Sequence, residues 1–434
     1  MNAVGIIAEY NPFHNGHAYQ IREAKKRTGA DCAVIAMSGD FVQRGAPAIL
    51  DKVTRTRMAL LGGADIVFEM PAVSSCAASR DFARCGCAML SAAGCRYLSF
   101  GTDGGSLSAL QKTADVLAAE PEPFRSVLRD AQKEGETYAA AEAKALGACG
   151  ASFPPGGANS RLAVEYLRAL RESGASLQPV PILRSGMEYT AGSASAAASG
   201  GTRKAGMPGS DTPGAGMPAF PEETRPSALF LRQALAEGVP DKAFRRWIPE
   251  SALPVLLEAR HLHRMVFPED CAALLNYAIL TCPDPAEIAG FSADLAARLK
   301  KAGSGFRSVE EWTDYLKTRN LTRTRVSRAL MHLLLQLRKD SAAESALQHT
   351  GPAPYLRLLG FRKSAAGFLS ELKECCPVSV IQRPAIAERL LSPDAFRVFS
   401  ADLQAAAIYR QILADRHGVR LPDEYRAGIV ILDS

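Results

Sequence analysis

The sequence predicts an α/β fold: a parallel sheet covered by helices, followed by a mostly α-helical domain. Three observations predict it. Short apolar runs alternate with helix-forming stretches over the first hundred residues, each run closes on Gly, Pro or Ser, and after about Leu235 the strand-like runs give way to helical periodicity.

The elements follow in order. Residues 3–8 form an apolar run that ends in polar and Pro/Gly residues, and residues 18–27 carry helix formers. Residues 32–37 are a second run closed by Ser38-Gly39-Asp40. A helical pattern over 54–61 precedes a third run at 65–70, stopped by Pro71. A helix over about 81–93 leads to the run 97–100, closed by Gly101. Buried strands alternating with helices make a Rossmann-like parallel sheet, whose ligands sit beyond the carboxyl ends of the strands. Residues 191–226, rich in Gly, Ala, Ser and Pro, read as a flexible insertion. Helical patterns over 308–318, 323–339 and 401–416 mark the second domain, with one short strand near 378–381. The expected division is 1–235 and 236–434.

At 434 residues with 47% hydrophobic content, the chain has apolar surface for two domains. Its 51 basic and 45 acidic residues leave a charge of +6, which permits a polyanionic partner without demanding one. The ten cysteines lack zinc-site spacing and read as reduced, buried thiols, so no protein-held metal is expected. No signal peptide and no run of about 18 apolar residues is present, which leads us to expect a cytoplasmic protein without membrane contact.

The chemistry concentrates after the first run. Asn11 and Pro12 shape a turn, Gly16 lets backbone approach a phosphate, and His14 and His17 lie three apart at a helix start where both imidazoles can face one ligand. Two surface histidines in a polar loop are the plain alternative; the position at a strand end favours phosphate chemistry. Asp40, Gln43, Arg44, Asp51 and Lys52 follow the second run. They either face the same crevice, with Lys52 neutralising pyrophosphate or meeting RNA, or form a polar loop with a helix cap. Lys317, Arg319, Arg323, Arg325 and Arg328, with His332, form the densest basic segment, either a solvated helix face or an RNA surface. Lys242, Arg245, Arg246 and Trp247 form a second one, unless the Trp packs into the core.

The stretch GIIAEYNPFHNGH resembles the signature of the HxGH nucleotidylyltransferase superfamily, and its NPFHNGH form resembles the tRNA(Met) cytidine acetate ligase family. Further matches run in order: MSGDFVQRGAPAILDK, GGADIVFEMP, FGTD, NSRLAVEYLRAL, PILRSG, PSALFLR, LTRTRVSRALMHLLL and YLRLLGFRKSAAGFL. The resemblance implies a nucleotidylyltransferase-type catalytic domain that activates acetate with ATP to acetyl-adenylate, releasing pyrophosphate, and then acetylates N4 of the wobble cytidine of elongator tRNA(Met). Mg2+ would accompany ATP, and no DNA partner is implied. It also implies ATP contacts from Ile7, Ala8, Glu9, Tyr10, Asn11, Pro12, Phe13, His14, Asn15, Gly16, His17, Ala18, Tyr19 and Gln20, and from Gly101, Asn159 and Arg184, with His14 and His17 catalytic. Ser227 and Arg232 resemble the superfamily's second phosphate motif. From the residues alone Gly101 is equally a turn glycine, an N-cap is the alternative for Asn159, and a structural carboxylate is the alternative partner for Arg184. The chain departs from the family pattern at Ala46, Thr190 and Ala289, and in the length of the insertion after Arg184. Departures there bear on the acceptor pocket and on Tyr189. A nucleotidylyltransferase that joins ATP to a phosphorylated small molecule, and an inactive nucleotide- or RNA-binding protein, are the other readings.

Overall fold

The computed structural model describes residues 2–154, 157–183, 227–303, 305, 307–339 and 342–433. Arg184, Tyr189, Thr190 and the 191–226 insertion lie outside them.

Ten strands are described: β1 (Ala3–Ala8), β2 (Cys32–Ser38), β3 (Phe41–Val42), β4 (Ala46–Pro47), β5 (Ile66–Met70), β6 (Tyr97–Thr102), β7 (Gln178–Leu183), β8 (Tyr355–Arg362), β9 (Ser379–Ile381) and β10 (Val430–Leu432). Eight form the central sheet in the order β10-β8-β5-β2-β1-β6-β7, with β9 beside β8; β3 and β4 make a small hairpin. β1 pairs in parallel with β2 from Ala3↔Cys32 to Ala8↔Met37 and with β6 through Ile6↔Ser99. The chain thus moves from β1 outward to β2 and β5 on one side, then returns to place β6 and β7 on the other. The crevice between the ends of β1 and β6 is the topological switch point, where α/β sheets bind ligands.

Alternation along the strands divides two cores. On β2, Cys32, Val34 and Ala36 join the cluster under helices Ser79–Ala92 and Ala158–Ser173, whereas Ala33, Ile35 and Met37 join the opposite cluster. The latter face is covered by α1 (Asn15–Thr28), α2 (Lys52–Leu61) and helices Ala228–Ala236 and Leu253–His261. A third cluster gathers helices Ala272–Thr281, Ala293–Ala302, Val309–Leu316 and Arg323–Leu334 around Trp312 and Leu330.

The parallel sheet and the helical C-terminal half match expectation, and β9 falls where one short strand was expected. The strands β3, β4, β7, β8 and β10 were not foreseen. β8, antiparallel to β5, and β10 carry the sheet across the boundary expected at residue 235. Arg357 interrupts the apolar pattern of β8 (YLRLLGFR), and its pairing partner is remote in sequence, so no local signal marks it as a strand. Among the described residues no helix is long and apolar enough to cross a membrane. No cysteine is disulfide-bonded; Cys32, Cys76, Cys85, Cys87, Cys95 and Cys271 are buried, while Cys375 is exposed.

A candidate nucleotide site at the switch point

β1 ends at Ala8 and α1 begins at Asn15; between them Tyr10 takes a φ of +47° and the Asn11–Pro12 peptide is cis. His14 is the N-cap of α1. Its Nδ1 accepts from the Gly16 amide at 3.0 Å, and His17 Nδ1 accepts from the His14 amide at 3.3 Å. A nitrogen that accepts an N–H carries no proton, so each neutral ring bears its proton on Nε2, a donor suited to a phosphate oxygen. The two imidazoles stack with centroids 3.7 Å apart, concentrating both donors at the positive end of α1.

Neighbouring residues hold this arrangement. Tyr10 packs against His17 and edge-on against Phe13, with centroids at 4.8 and 4.9 Å. Phe13 is fully buried over Gly62, where any Cβ would lie 2.2 Å from its ring. Asn11 Oδ1 accepts from the Ile49 amide at 2.7 Å. Asn15 donates from its amide and its Nδ2 to the carbonyls of Trp247 and Arg246, both at 2.9 Å. Gln20 reaches β6 at the Ser99 carbonyl, 3.4 Å away. Ala8 and Ala18 are half-buried, and Tyr19 lies under the Arg22 guanidinium. Ile7 packs on Gly86, so Ile7 and Phe13 offer a ligand only backbone.

The remote motifs converge here. Arg232, on the helix capped by Ser227, donates Nη1 to the Asn11 carbonyl at 2.7 Å. Burial draws its pKa down while Glu9 opposes the shift. Ser227 spends its hydroxyl on the Phe230 amide at 3.2 Å. Gly101 lies on β6, two residues past the last register pair with β1, and just beyond it Asn159 Nδ2 donates to Asp103 Oδ1 at 2.9 Å. The N-cap of that helix is Gly157, which removes the capping reading for Asn159.

With this geometry in place, comparison with known proteins is direct. A family model described as HIGH Nucleotidyl Transferase matches residues 1–208 and 218–420. The tRNA(Met) cytidine acetate ligase of Acetivibrio thermocellus is 30% identical over 445 residues, covering 100% of each chain. That of Lysinibacillus sphaericus is 30% identical over 438 residues with 98% of each covered, and that of Syntrophotalea carbinolica 36% over 380 residues, with 86% of this chain and 83% of the relative. The chain belongs to the tRNA(Met) cytidine acetate ligase family. Its fold is that of Thermotoga maritima TmcAL, solved with alpha-thio ATP (TM-score 0.84, 22% identity) and in an apo form (TM-score 0.86, 23% identity), each covering 100% of both chains.

In this acetate ligase family member the loop after β2 corrects several expectations. Lys52 is 2% exposed, its ammonium held by Glu69 at 2.8 Å, Glu424 at 2.9 Å and Asp40 at 3.8 Å, so it meets no RNA. Burial and Arg357 pull its pKa down, but the three carboxylates hold it above the usual lysine value. Burial pushes Asp40 up to about 6 against the pull of Lys52. Asp51 is the N-cap of α2, accepting from the Thr54 amide at 2.9 Å. Only Arg44 and the half-buried Gln43 remain turned outward.

Sequence reasoning missed what pins this loop. Arg55 is fully buried and donates to the carbonyls of Leu50 at 2.9 Å, Glu9 at 2.7 Å, Ser38 at 3.0 Å, and Gly39. It ties the end of β1 to the end of β2. Arg357 bridges Glu69 at 2.9 Å and Glu424. Charges inside apolar runs, Glu69 in DIVFEM and Arg357 in YLRLLGF, were the available signal.

The basic helix face is mixed. Lys317, Arg319, Arg323 and Arg325 are exposed and Arg328 is half-buried. Lys317 and Arg323 are paired with Asp314 at 2.9 and 2.7 Å. His332 is structural, its ring nitrogens 2.9 and 2.7 Å from the carbonyls of Ala289 and Cys76. Trp247 packs against Phe230 and Phe244 in the core, leaving Lys242, Arg245 and Arg246 as the exposed part of that cluster. The helix Arg323–Leu334 lies against the β3–β4 hairpin at Gly45, whose Cβ position is 2.3 Å from the Arg328 amide nitrogen.

Proposed function

We propose that the protein is an ATP-dependent ligase that activates acetate as acetyl-adenylate, releases pyrophosphate, and acetylates N4 of the wobble cytidine of elongator tRNA(Met). The observation that carries this is the stacked His14–His17 pair at the N-terminus of α1, at the switch point.

An acetate oxygen attacks the α-phosphorus, the bond to the bridging oxygen of pyrophosphate breaks, and negative charge grows on the non-bridging oxygens. His14, His17 and the helix end offer fixed positive potential where that charge develops. In the second step N4 of cytidine attacks the acetyl carbonyl, AMP departs with the anhydride oxygen, and the amine loses a proton. The reading places Arg184 and Arg232 on the phosphates. Among the described residues no group of three or more His, Cys, Asp or Glu side chains is placed to hold a metal, so Mg2+ would come with the triphosphate and lower the charge of pyrophosphate. The exposed Arg319 and Arg325, with Arg328, suit the RNA backbone.

The test is pyrophosphate exchange into ATP, read together with mass spectrometry of tRNA(Met). Exchange that requires acetate, drops at least about 100-fold in His17→Ala, and goes with acetylcytidine formed only when ATP and acetate are both supplied supports the proposal. Exchange indifferent to acetate overturns it.

A further inference from the structure

The hairpin β3–β4 is short, yet its backbone is held on several sides. Val42 pairs with Ala46, the Gly45 amide donates to the Val42 carbonyl at 2.9 Å, and the Ala48 amide donates to the Asp40 carbonyl at 2.8 Å. Ser75 Oγ donates to the Phe41 carbonyl at 2.9 Å, and the Tyr409 hydroxyl donates to the Ala48 carbonyl at 2.8 Å. Gly45, at a φ of +77°, seats the turn on the backbone of Ser327 and Arg328. On this fixed turn the Arg44 side chain is exposed, and it makes no hydrogen bond or ion pair among the described residues.

Arg328 lies on the other side of that contact. It is half-buried and has no carboxylate partner among the described residues. Burial lowers its pKa, the neighbouring Cys76 thiol opposes the shift and Arg325 adds to it. That thiol is itself pushed up to about 12, chiefly by burial, so it is uncharged at neutral pH and gives Arg328 no counter-ion. A desolvated guanidinium without an anion is costly unless a ligand supplies one. Charge interactions bring both arginines within reach of the crevice. Glu9, the residue after β1, acts on Arg232 together with Arg44, and on Cys76 together with Arg328.

The missing anion is a phosphate of a polynucleotide rather than of ATP. The start of α1 and Arg232 already face the triphosphate, whereas Arg328 continues a helix face that carries the exposed Arg325 one turn earlier. We infer that Arg44 and Arg328 clamp the backbone phosphate beside the acceptor cytidine, where the RNA strand passes from the basic helix to the crevice. The inference rests on reading the crevice as the place where a tRNA cytidine is acetylated. A base that reacts in a pocket must leave its stack, and a phosphate fixed at the mouth decides where its N4 arrives. A planar guanidinium fork suits two phosphate oxygens at once.

The experiment compares wild type, Arg44→Ala and Arg44→Lys on tRNA(Met) bearing one uncharged methylphosphonate on the 5′ or the 3′ side of the wobble cytidine. Acetate-dependent pyrophosphate exchange without tRNA should be the same in all three proteins. Acetylation of unmodified tRNA, read as kcat/KM, should fall about tenfold in Arg44→Ala, the lower end for a hydrogen bond to a charged group. Arg44→Lys should recover only part, because an ammonium lacks the fork. In wild type one of the two methylphosphonates should cost the same factor as Arg44→Ala, and in Arg44→Ala it should cost little more, since both changes remove one contact. Unchanged kcat/KM in Arg44→Ala, a matching loss of exchange, or losses from variant and methylphosphonate that multiply independently overturns the inference. So does a wild type indifferent to both methylphosphonates. A wild type without acetate-dependent exchange overturns the reading of the crevice instead.

Discussion

Replacing Arg55 by Met keeps most of the side-chain volume and removes every donor. Four carbonyls, those of Leu50, Glu9, Ser38 and Gly39, then lose their partner in a region with no exposed surface at that residue. An orphaned buried acceptor costs about 1–3 kcal/mol, so four carry a cost of about 4 kcal/mol at the lower bound. Relief of the desolvation of a buried guanidinium offsets part, leaving about 2–4 kcal/mol. Because total stability is about 5–15 kcal/mol, a change of this size shows clearly as a lower urea midpoint at unchanged slope. Glu9 and Gly39 begin the two loops of the crevice, so ATP affinity should also fall about tenfold through lost preorganisation. Arg55→Lys should recover less than half, since one ammonium cannot span carbonyls on two strand ends as a planar fork does. An Arg55→Met protein with the wild-type midpoint and ATP affinity would refute the claim that this side chain holds the crevice.

Further outcomes follow from the same structure. Asp402 accepts from Tyr355 at 2.5 Å and from the Ala72 amide at 2.7 Å, and burial, reinforced by Glu69, pushes it from 3.8 up to about 7. Between those values the folded protein retains a proton that the unfolded chain has lost, so stability from this group falls as pH rises from about 4 to 7. Denaturation midpoints of Asp402→Asn across that range should show a flatter slope than wild type; an identical slope counts against the assignment. Gly45 has a φ of +77° and no room for a Cβ against the Arg328 backbone, so Gly45→Ala should displace helix Arg323–Leu334 and weaken tRNA binding more than ATP binding, as filter binding and calorimetry would report. Arg319 and Arg325 have no ion pair among the described residues, whereas Lys317 and Arg323 share Asp314. Replacing the first two by Ala should lower the salt dependence of tRNA binding by about 1.5 units of log–log slope, and replacing the second two should lower it less. Equal effects would remove the distinction.

The sequence by itself determined the α/β class, the order of the early strands, the HxGH loop and the family, because each is written in contiguous residues: apolar runs closed by turn formers, and NPFHNGH at the end of the first run. The SALFLR segment, a second phosphate motif by resemblance, lies beside that loop in the fold, where Arg232 donates to the Asn11 carbonyl. Only the tertiary structure decided which polar residues are available. Lys52 reads as a free cation until Glu69, Glu424 and Asp40, from three other parts of the chain, close around it. His332 and Trp247 likewise leave the list of surface residues once their neighbours are known. Arg55 enters for the opposite reason, because four carbonyls converge on it. Burial and hydrogen-bond satisfaction depend on what packs from remote sequence, and that packing reverses the meaning of a charged residue without changing any local pattern.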